Sequence, residues 1–169
     1  MSHVGDRPLK LGPAARPRPE QGTRSPTWVR LGCVALAAPQ LFTGAWAIAA
    51  PAGWFAHFPG LGPNLVAADG PYNAHLAGDA GAGFLATAVA LLVAAAWADR
   101  RVTVTALVTY LAFALPHFAY HLLHPADRLS GATNAGNVAS LGLGAALPLV
   151  LLWGALKREP RSVPEVASG

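Results

Sequence analysis

Four long apolar stretches alternate with short polar connections along the chain. They cover residues 28–50, 73–97, 102–124 and 134–156. A helix needs about 20 mostly apolar residues to cross the hydrocarbon core of a bilayer, and each stretch reaches that length. None alternates with a period of two, so helices are the structures that satisfy their backbone in lipid. The pattern predicts an all-α, polytopic four-helix transmembrane bundle embedded in a lipid bilayer.

The two ends of the chain differ from the helices in composition. Residues 1–27 and 157–169 are rich in Pro and basic residues and contain no aromatic residue. Such segments cannot bury a core, so we expect both to be disordered. Residues 28–156 then form the transmembrane domain, and residues 51–72 form its external loop.

The basic residues predict the orientation of the helices. Of the 12 Lys and Arg residues, all except Arg128 lie in the tails, at the start of the first helix or in the connection after residue 97. Because cytoplasmic connections carry an excess of Lys and Arg, both termini are predicted to be cytoplasmic in a multi-pass protein of the cell membrane. The basic tails lack interleaved aromatics, so nucleic acid is not expected as a partner.

The first apolar stretch has a second interpretation. Ala45, Trp46 and Ala47 resemble the small-x-small cleavage site of a signal peptide. The preceding tail is long and the apolar run exceeds a usual signal sequence, so we favour an uncleaved helix. The single Cys33 excludes an internal disulfide framework and any metal motif built from several cysteines.

Polar residues gather at the predicted outer ends of the second and third helices. His75 and Asp79 are four residues apart, and His117, His121 and His124 follow an i, i+4, i+7 pattern. Such spacings place side chains on one helical face. Ionisable residues in a membrane are rare and usually face a bundle interior or a wet cavity. The two stripes are therefore predicted to face each other at the same depth.

This arrangement favours a metal site. Imidazole and carboxylate groups suit copper, zinc or iron, and the predicted ligands are His75, Asp79, His117 and His121, with His124 in reserve. Haem is a variant in which a histidine from each of two helices binds the iron axially. A structural hydrogen-bond network and a proton-handling or organic-ligand site remain open. Three further residues are assigned to a cavity wall or polar network: Gln40, Tyr72 and Asn137.

Small residues indicate where helices approach closely. Gly78, Gly81 and Gly83 surround Asp79, and a similar set of glycines occupies the fourth helix. Faces of this type let transmembrane backbones pack tightly, within one chain or against a second copy or membrane partner. A homo-oligomer is therefore compatible with the sequence.

Three segments carry a family resemblance: "GPYNAHLAGDAGAGFLATAVALLVAA", "PHFAYHLLHPADRLS" and "NVASLGLGAALPLVLL". Together they resemble small four-helix membrane proteins of actinobacteria and, more generally, the DoxX-like group. The resemblance implies a four-helix fold over roughly residues 28–156. It implies no activity, cofactor or catalytic residue.

Two functional hypotheses follow. The leading one is an integral membrane protein whose extracytoplasmic His/Asp site binds a transition metal or haem for redox chemistry on a lipid-soluble substrate. The alternative is a non-enzymatic partner subunit or small transporter, in which the Asp–His network is structural or handles protons. No catalytic residue is assigned, and the sequence leaves open whether the protein is an enzyme.

Overall fold

Long helices dominate the structure. The computed structural model describes residues 24–157, and this part of the chain forms six helices and no β-strand. The helices are α1 (Thr27–Ala49), α2 (Pro51–His57), α3 (Leu65–Asp69), α4 (Ala74–Trp97), α5 (Arg100–Leu123) and α6 (Gly131–Leu156). Of these, α1, α4, α5 and α6 are long and apolar enough to cross a membrane. The predicted all-α four-helix transmembrane bundle is confirmed. The predicted disorder of the tails falls mostly on residues 1–23 and 158–169, which lie outside the described residues.

Polar caps set the starts of two helices earlier than the hydrophobic pattern predicts. The Asp99 carboxylate accepts hydrogen bonds from the backbone N–H groups of Arg101 (2.8 Å) and Val102 (3.1 Å), so α5 begins at Arg100. The Ser130 hydroxyl accepts one from the backbone N–H of Thr133 at 3.1 Å, so α6 begins at Gly131. Such caps satisfy N–H groups that lack a partner within the helix.

The four long helices form a ring in which two pairs pack most extensively. α1 packs against α4, α5 packs against α6, and the α4–α5 and α1–α6 contacts close the ring. The core between them is apolar and includes Val29, Cys33, Leu91, Leu107 and Leu151, all of which are fully or almost fully buried. In lipid this packing is driven by close contact between helices, because lipid tails are as apolar as the side chains.

The α1–α4 contact depends on glycine. A Cβ atom at Gly44 would lie 2.8 Å from the backbone oxygen of Gly81 and 2.8 Å from the backbone nitrogen of Leu85. The two backbones therefore approach too closely for any larger residue at Gly44. By contrast, Gly78 and Gly83 have nothing within 4 Å of such an atom, so only part of the predicted small-residue face packs within the chain.

The two ends of the bundle are built differently. At one end, which we call the capped end, the short helices α2 and α3 occupy the segment predicted as a loop, and Trp54 of α2 is buried beside Ala47 and Ala77. At the other end, the chain before α1 is fastened to the α4–α5 connection. Ser25 donates through its backbone N–H to the Ala98 carbonyl (2.7 Å) and through its hydroxyl to that of Thr103 (2.8 Å).

Candidate functional site

The four predicted metal ligands occur in the structure as two separate pairs. The first pair lies on α4, where His75 Nε2 is 3.3 Å from Asp79 Oδ2. Their side chains are 85% and 65% exposed. The pair therefore points away from the interior of the bundle, on a helical face that no other part of residues 24–157 covers.

The second pair lies on α5, where the rings of His117 and His121 meet edge to face with centroids 4.9 Å apart. His121 also reaches the capped end, because its Nδ1 atom lies 3.9 Å from Asp69 Oδ2 at the end of α3. The side chains of His121 and Asp69 are only 16% and 31% exposed. We call the series His117, His121 and Asp69 the imidazole ladder.

Aromatic packing holds the inner end of the imidazole ladder. The His117 ring stacks on Phe113, with centroids 5.3 Å apart and an interplanar angle of 18°. It also meets Phe84 of α4 edge to face at 6.4 Å, and Phe84 in turn contacts Phe113 at 5.1 Å. His117 is partly buried between two helices, so its ring has little freedom to turn away from His121.

His124, the reserve ligand, lies beside the ladder rather than within it. Its ring stacks on Tyr120 with centroids 4.7 Å apart, and its Nδ1 atom is 3.0 Å from the Tyr120 carbonyl oxygen at the end of α5. Tyr120 and His124 line an open cavity of about 280 Å³ together with Asp69, Asp127 and Arg128. The ladder therefore reaches a polar cavity at the capped end.

The described residues do not assemble the predicted metal site within one chain. Among residues 24–157, no group of three or more His, Cys, Asp or Glu residues is placed to hold a metal ion. The structure thus shows no metal-binding group, and binding of a transition metal or haem stays a prediction. What the chain does assemble is one exposed His–Asp pair and the imidazole ladder.

Gln40 belongs to a polar cluster inside the bundle. Its side chain is buried, its Oε1 atom lies 3.4 Å from the Thr87 hydroxyl, and it interacts with the Tyr110 hydroxyl. Thr87 makes its shorter hydrogen bond, of 2.8 Å, to the Phe84 carbonyl. The cluster joins α1, α4 and α5, and the assignment of Gln40 to a cavity wall or a polar network stays a prediction.

The other two residues assigned to a cavity or network make contacts of their own. Tyr72 is exposed and packs on Phe55 with ring centroids 5.3 Å apart. Asn137 is partly buried on α6, and its backbone oxygen accepts a hydrogen bond from the Ser140 hydroxyl at 2.8 Å. Neither contact includes a histidine or Asp79.

Sequence reasoning missed the role of Asp69, which it treated only as a loop residue. Tertiary contacts place this side chain. Arg128 Nη1 donates to the Ala67 carbonyl at 3.4 Å, and the Asn134 amide makes two hydrogen bonds to the backbone of Ala126. These contacts hold α3 and the α5–α6 connection over the end of α5.

Sequence reasoning also missed Thr87 and Tyr110 as parts of the polar cluster around Gln40. A signal for Tyr110 was present, because Thr103, Tyr110 and His117 follow each other at seven-residue intervals on α5.

No family model matches the chain, and no curated protein or solved structure matches it. The resemblance to DoxX-like proteins therefore stays a prediction. The four apolar helices identify a small multi-pass membrane protein, and any finer function has to be inferred from its polar sites.

Proposed function

We propose that this is a non-enzymatic membrane protein that acts as a small transporter: it takes up protons at the extracytoplasmic end of its bundle and passes them on. One observation carries the proposal: His117, His121 and Asp69 follow one another in contact from the partly buried wall of α5 to the capped end. Under this proposal the capped end is the extracytoplasmic one.

The residue types of the imidazole ladder suit proton transfer. Histidine is the side chain that ordinarily changes charge between about pH 5 and 8. A neutral imidazole has one N–H donor and one acceptor nitrogen, so it can accept a proton on one nitrogen and release one from the other. Asp69 forms an ion pair with His121 whenever that ring is protonated. Its carboxylate also borders the polar cavity, from which water can deliver protons.

A second polar group lies farther along α5, toward the middle of the bundle. Tyr110 precedes His117 by seven residues, which places it on the same face about 10.5 Å along the helix axis. Its hydroxyl interacts with Gln40, which Thr87 also approaches. Buried polar groups in membrane bundles commonly mark ion or proton pathways. Polar groups thus extend from the capped end to Tyr110 in the middle of the bundle. This extent favours proton transfer over a purely structural role of the ladder at the end of the bundle.

Proton flux in proteoliposomes tests the proposal. Purified protein is reconstituted with an internal pH-sensitive dye, and a potassium diffusion potential drives protons across the membrane. His117→Phe is the decisive variant, because a phenyl ring keeps the stacking on Phe113 and the edge-to-face contact with Phe84 but carries no titratable proton. His57→Phe makes the same change at an exposed position of α2, outside the ladder, and serves as the matched control.

We expect the wild type and His57→Phe to conduct protons above the rate of empty liposomes. His117→Phe should fall to the rate of empty liposomes, and Asp69→Asn should slow the flux several-fold. A wild-type rate equal to that of empty liposomes, or full flux in correctly folded His117→Phe, would show that the ladder has only a structural role.

A further inference from the structure

α4 carries a continuous exposed face that begins with the His75–Asp79 pair. We call this face, which consists of His75, Asp79, Ala82, Ala86 and Val89, the α4 seam, and all five residues are exposed. Their spacing alternates between four and three residues. This is the spacing of the a and d positions in a left-handed coiled coil, where one helix packs along another.

The α4 seam is shaped for close packing, yet nothing within the described chain covers it. Ala82 and Ala86 are small, and the flanking Gly78 and Gly83 have open space around them. On the other side of α4, Gly81 packs against α1, with the Gly44 oxygen 3.2 Å from the position of an added Cβ atom. Small-residue faces drive association of transmembrane helices. The α4 seam therefore has the character of a helix interface without a partner.

The polar end of the α4 seam indicates what the partner is. A His–Asp pair that faces lipid is costly, and such groups usually pair within an assembly. A second copy of this chain, related by a two-fold axis along the membrane normal, meets the same residues at the same depth. The second copy brings its own His75 and Asp79 to the first pair. Asp79 of each copy then lies beside His75 of the other, so the two identical surfaces are complementary in charge.

We propose that two copies pair along the α4 seam and that their two His75–Asp79 pairs together bind one divalent transition-metal ion. Tetrahedral zinc with ligand bonds of about 2.0–2.1 Å has neighbouring ligand atoms about 3.3–3.4 Å apart. The separation of His75 Nε2 and Asp79 Oδ2 is 3.3 Å. Each chain thus supplies one edge of the tetrahedron, and the two-fold axis passes through the metal.

Two imidazole nitrogens and two carboxylate oxygens form a suitable ligand set for zinc. Each chain contributes two of the four ligands, and no group of three candidate ligands occurs within residues 24–157. The proposed zinc site is independent of the imidazole ladder, because its ligands lie on α4 whereas the ladder residues lie on α3 and α5.

The test measures zinc content and self-association of protein purified in detergent without a histidine tag. Zinc is added, excess is removed, and the metal is counted per chain while analytical ultracentrifugation gives the dimer dissociation constant. The variants are His75→Ala, Asp79→Asn and Ala82→Phe. The matched controls are His57→Ala, an exposed histidine on α2, and Ala139→Phe, an exposed alanine on α6.

We expect one zinc ion per two chains in the wild type and in both controls, and a dimer at least ten-fold weaker when a chelator is present. His75→Ala and Asp79→Asn should lose the bound zinc, and Ala82→Phe should be monomeric. A wild type that stays monomeric with zinc, a dimer that binds no zinc, or unchanged dimers in Ala82→Phe would each overturn the proposal.

Discussion

The contact between α1 and α4 makes a quantitative prediction about glycine. An added Cβ at Gly44 lies 2.8 Å from two backbone atoms of α4, whereas ordinary van der Waals contact begins at 3.4 Å. In Gly44→Ala the two helices must therefore separate by 3.4 − 2.8 = 0.6 Å at this level. Overpacking of this kind costs about 1–3 kcal/mol, and here the neighbours are backbone atoms that cannot rotate away.

Gly83 provides a matched control for the same chemical change. It lies between Gly81 and Leu85 in the sequence, at the level of the Gly44 contact, but an added Cβ there meets nothing within 4 Å. Replacing glycine by alanine in a helix gains up to about 1 kcal/mol in helix propensity. Because this gain is common to Gly44→Ala and Gly83→Ala, it cancels when the two variants are compared.

Unfolding in detergent followed by circular dichroism measures the difference. We expect Gly44→Ala to be less stable than Gly83→Ala by about 1–3 kcal/mol, and Gly83→Ala to equal or exceed the wild type. Equal stabilities of the two variants, or a less stable Gly83→Ala, would refute the close approach of α1 and α4.

Three further predictions concern other parts of the bundle. A double-mutant cycle of Gln40→Leu and Tyr110→Phe measures the coupling between the two side chains from free energies of unfolding. The coupling should be about 0.6 kcal/mol and no more than about 1.7 kcal/mol, as for other polar contacts in membranes. Strictly additive effects of the two substitutions would mean that the side chains do not interact. Thr103→Val removes a buried hydroxyl at the end of the bundle opposite the capped end, and it should lower the free energy of unfolding in detergent by about 1–3 kcal/mol. An unchanged value would contradict the hydrogen bonds of the Thr103 hydroxyl with Ser25 and with the Asp99 carbonyl. In a background without the native cysteine, Leu61→Cys should react with an impermeant thiol reagent on intact cells and Ser162→Cys should not; the reverse labelling would invert the predicted orientation.

The number and approximate extent of the four long helices could be read from the sequence for a physical reason, whereas the short helices α2 and α3 were not predicted. In lipid a spanning segment must satisfy its own backbone, so a long apolar run without period-two alternation leaves helix as the solution. The ends of the helices were less certain because hydrophobicity does not reveal a cap. Ser130 and Asp99 each begin a helix through side-chain hydrogen bonds, and neither stands in the apolar run.

The sequence places the His–Asp pair near the start of α4 and the paired histidines near the end of α5, as the structure does, but it does not give the direction in which they face. Rotation of a helix about its axis is set by its neighbours. The close approach of Gly44 turns Gly81 toward α1. Asp79 precedes Gly81 by two residues, which is about 200° around the helix, so Asp79 and His75 face outward. The sequence places Gly78, Gly81 and Gly83 around Asp79, and only the packing shows that α1 contacts Gly81.

Asp69 shows a second limit of sequence reasoning. It is far from His121 in the chain, and no periodic pattern links the two. Its position depends on how α3 docks over the end of α5, which is fixed by contacts such as that of Arg128 with the Ala67 carbonyl. A single carboxylate in a connection gives no signal of this kind.

The imidazole ladder is tested most directly by the ring-nitrogen signals of its histidines. Nitrogen-15 NMR spectra of histidine-labelled protein in liposomes are compared between the wild type and Asp69→Asn, with the signals assigned by single-histidine variants. Asp69 contacts His121 but not His117 within the ladder. If protons pass along the ladder, the substitution should change the ring-nitrogen signals of both histidines. A change confined to His121 would contradict proton exchange between the two rings.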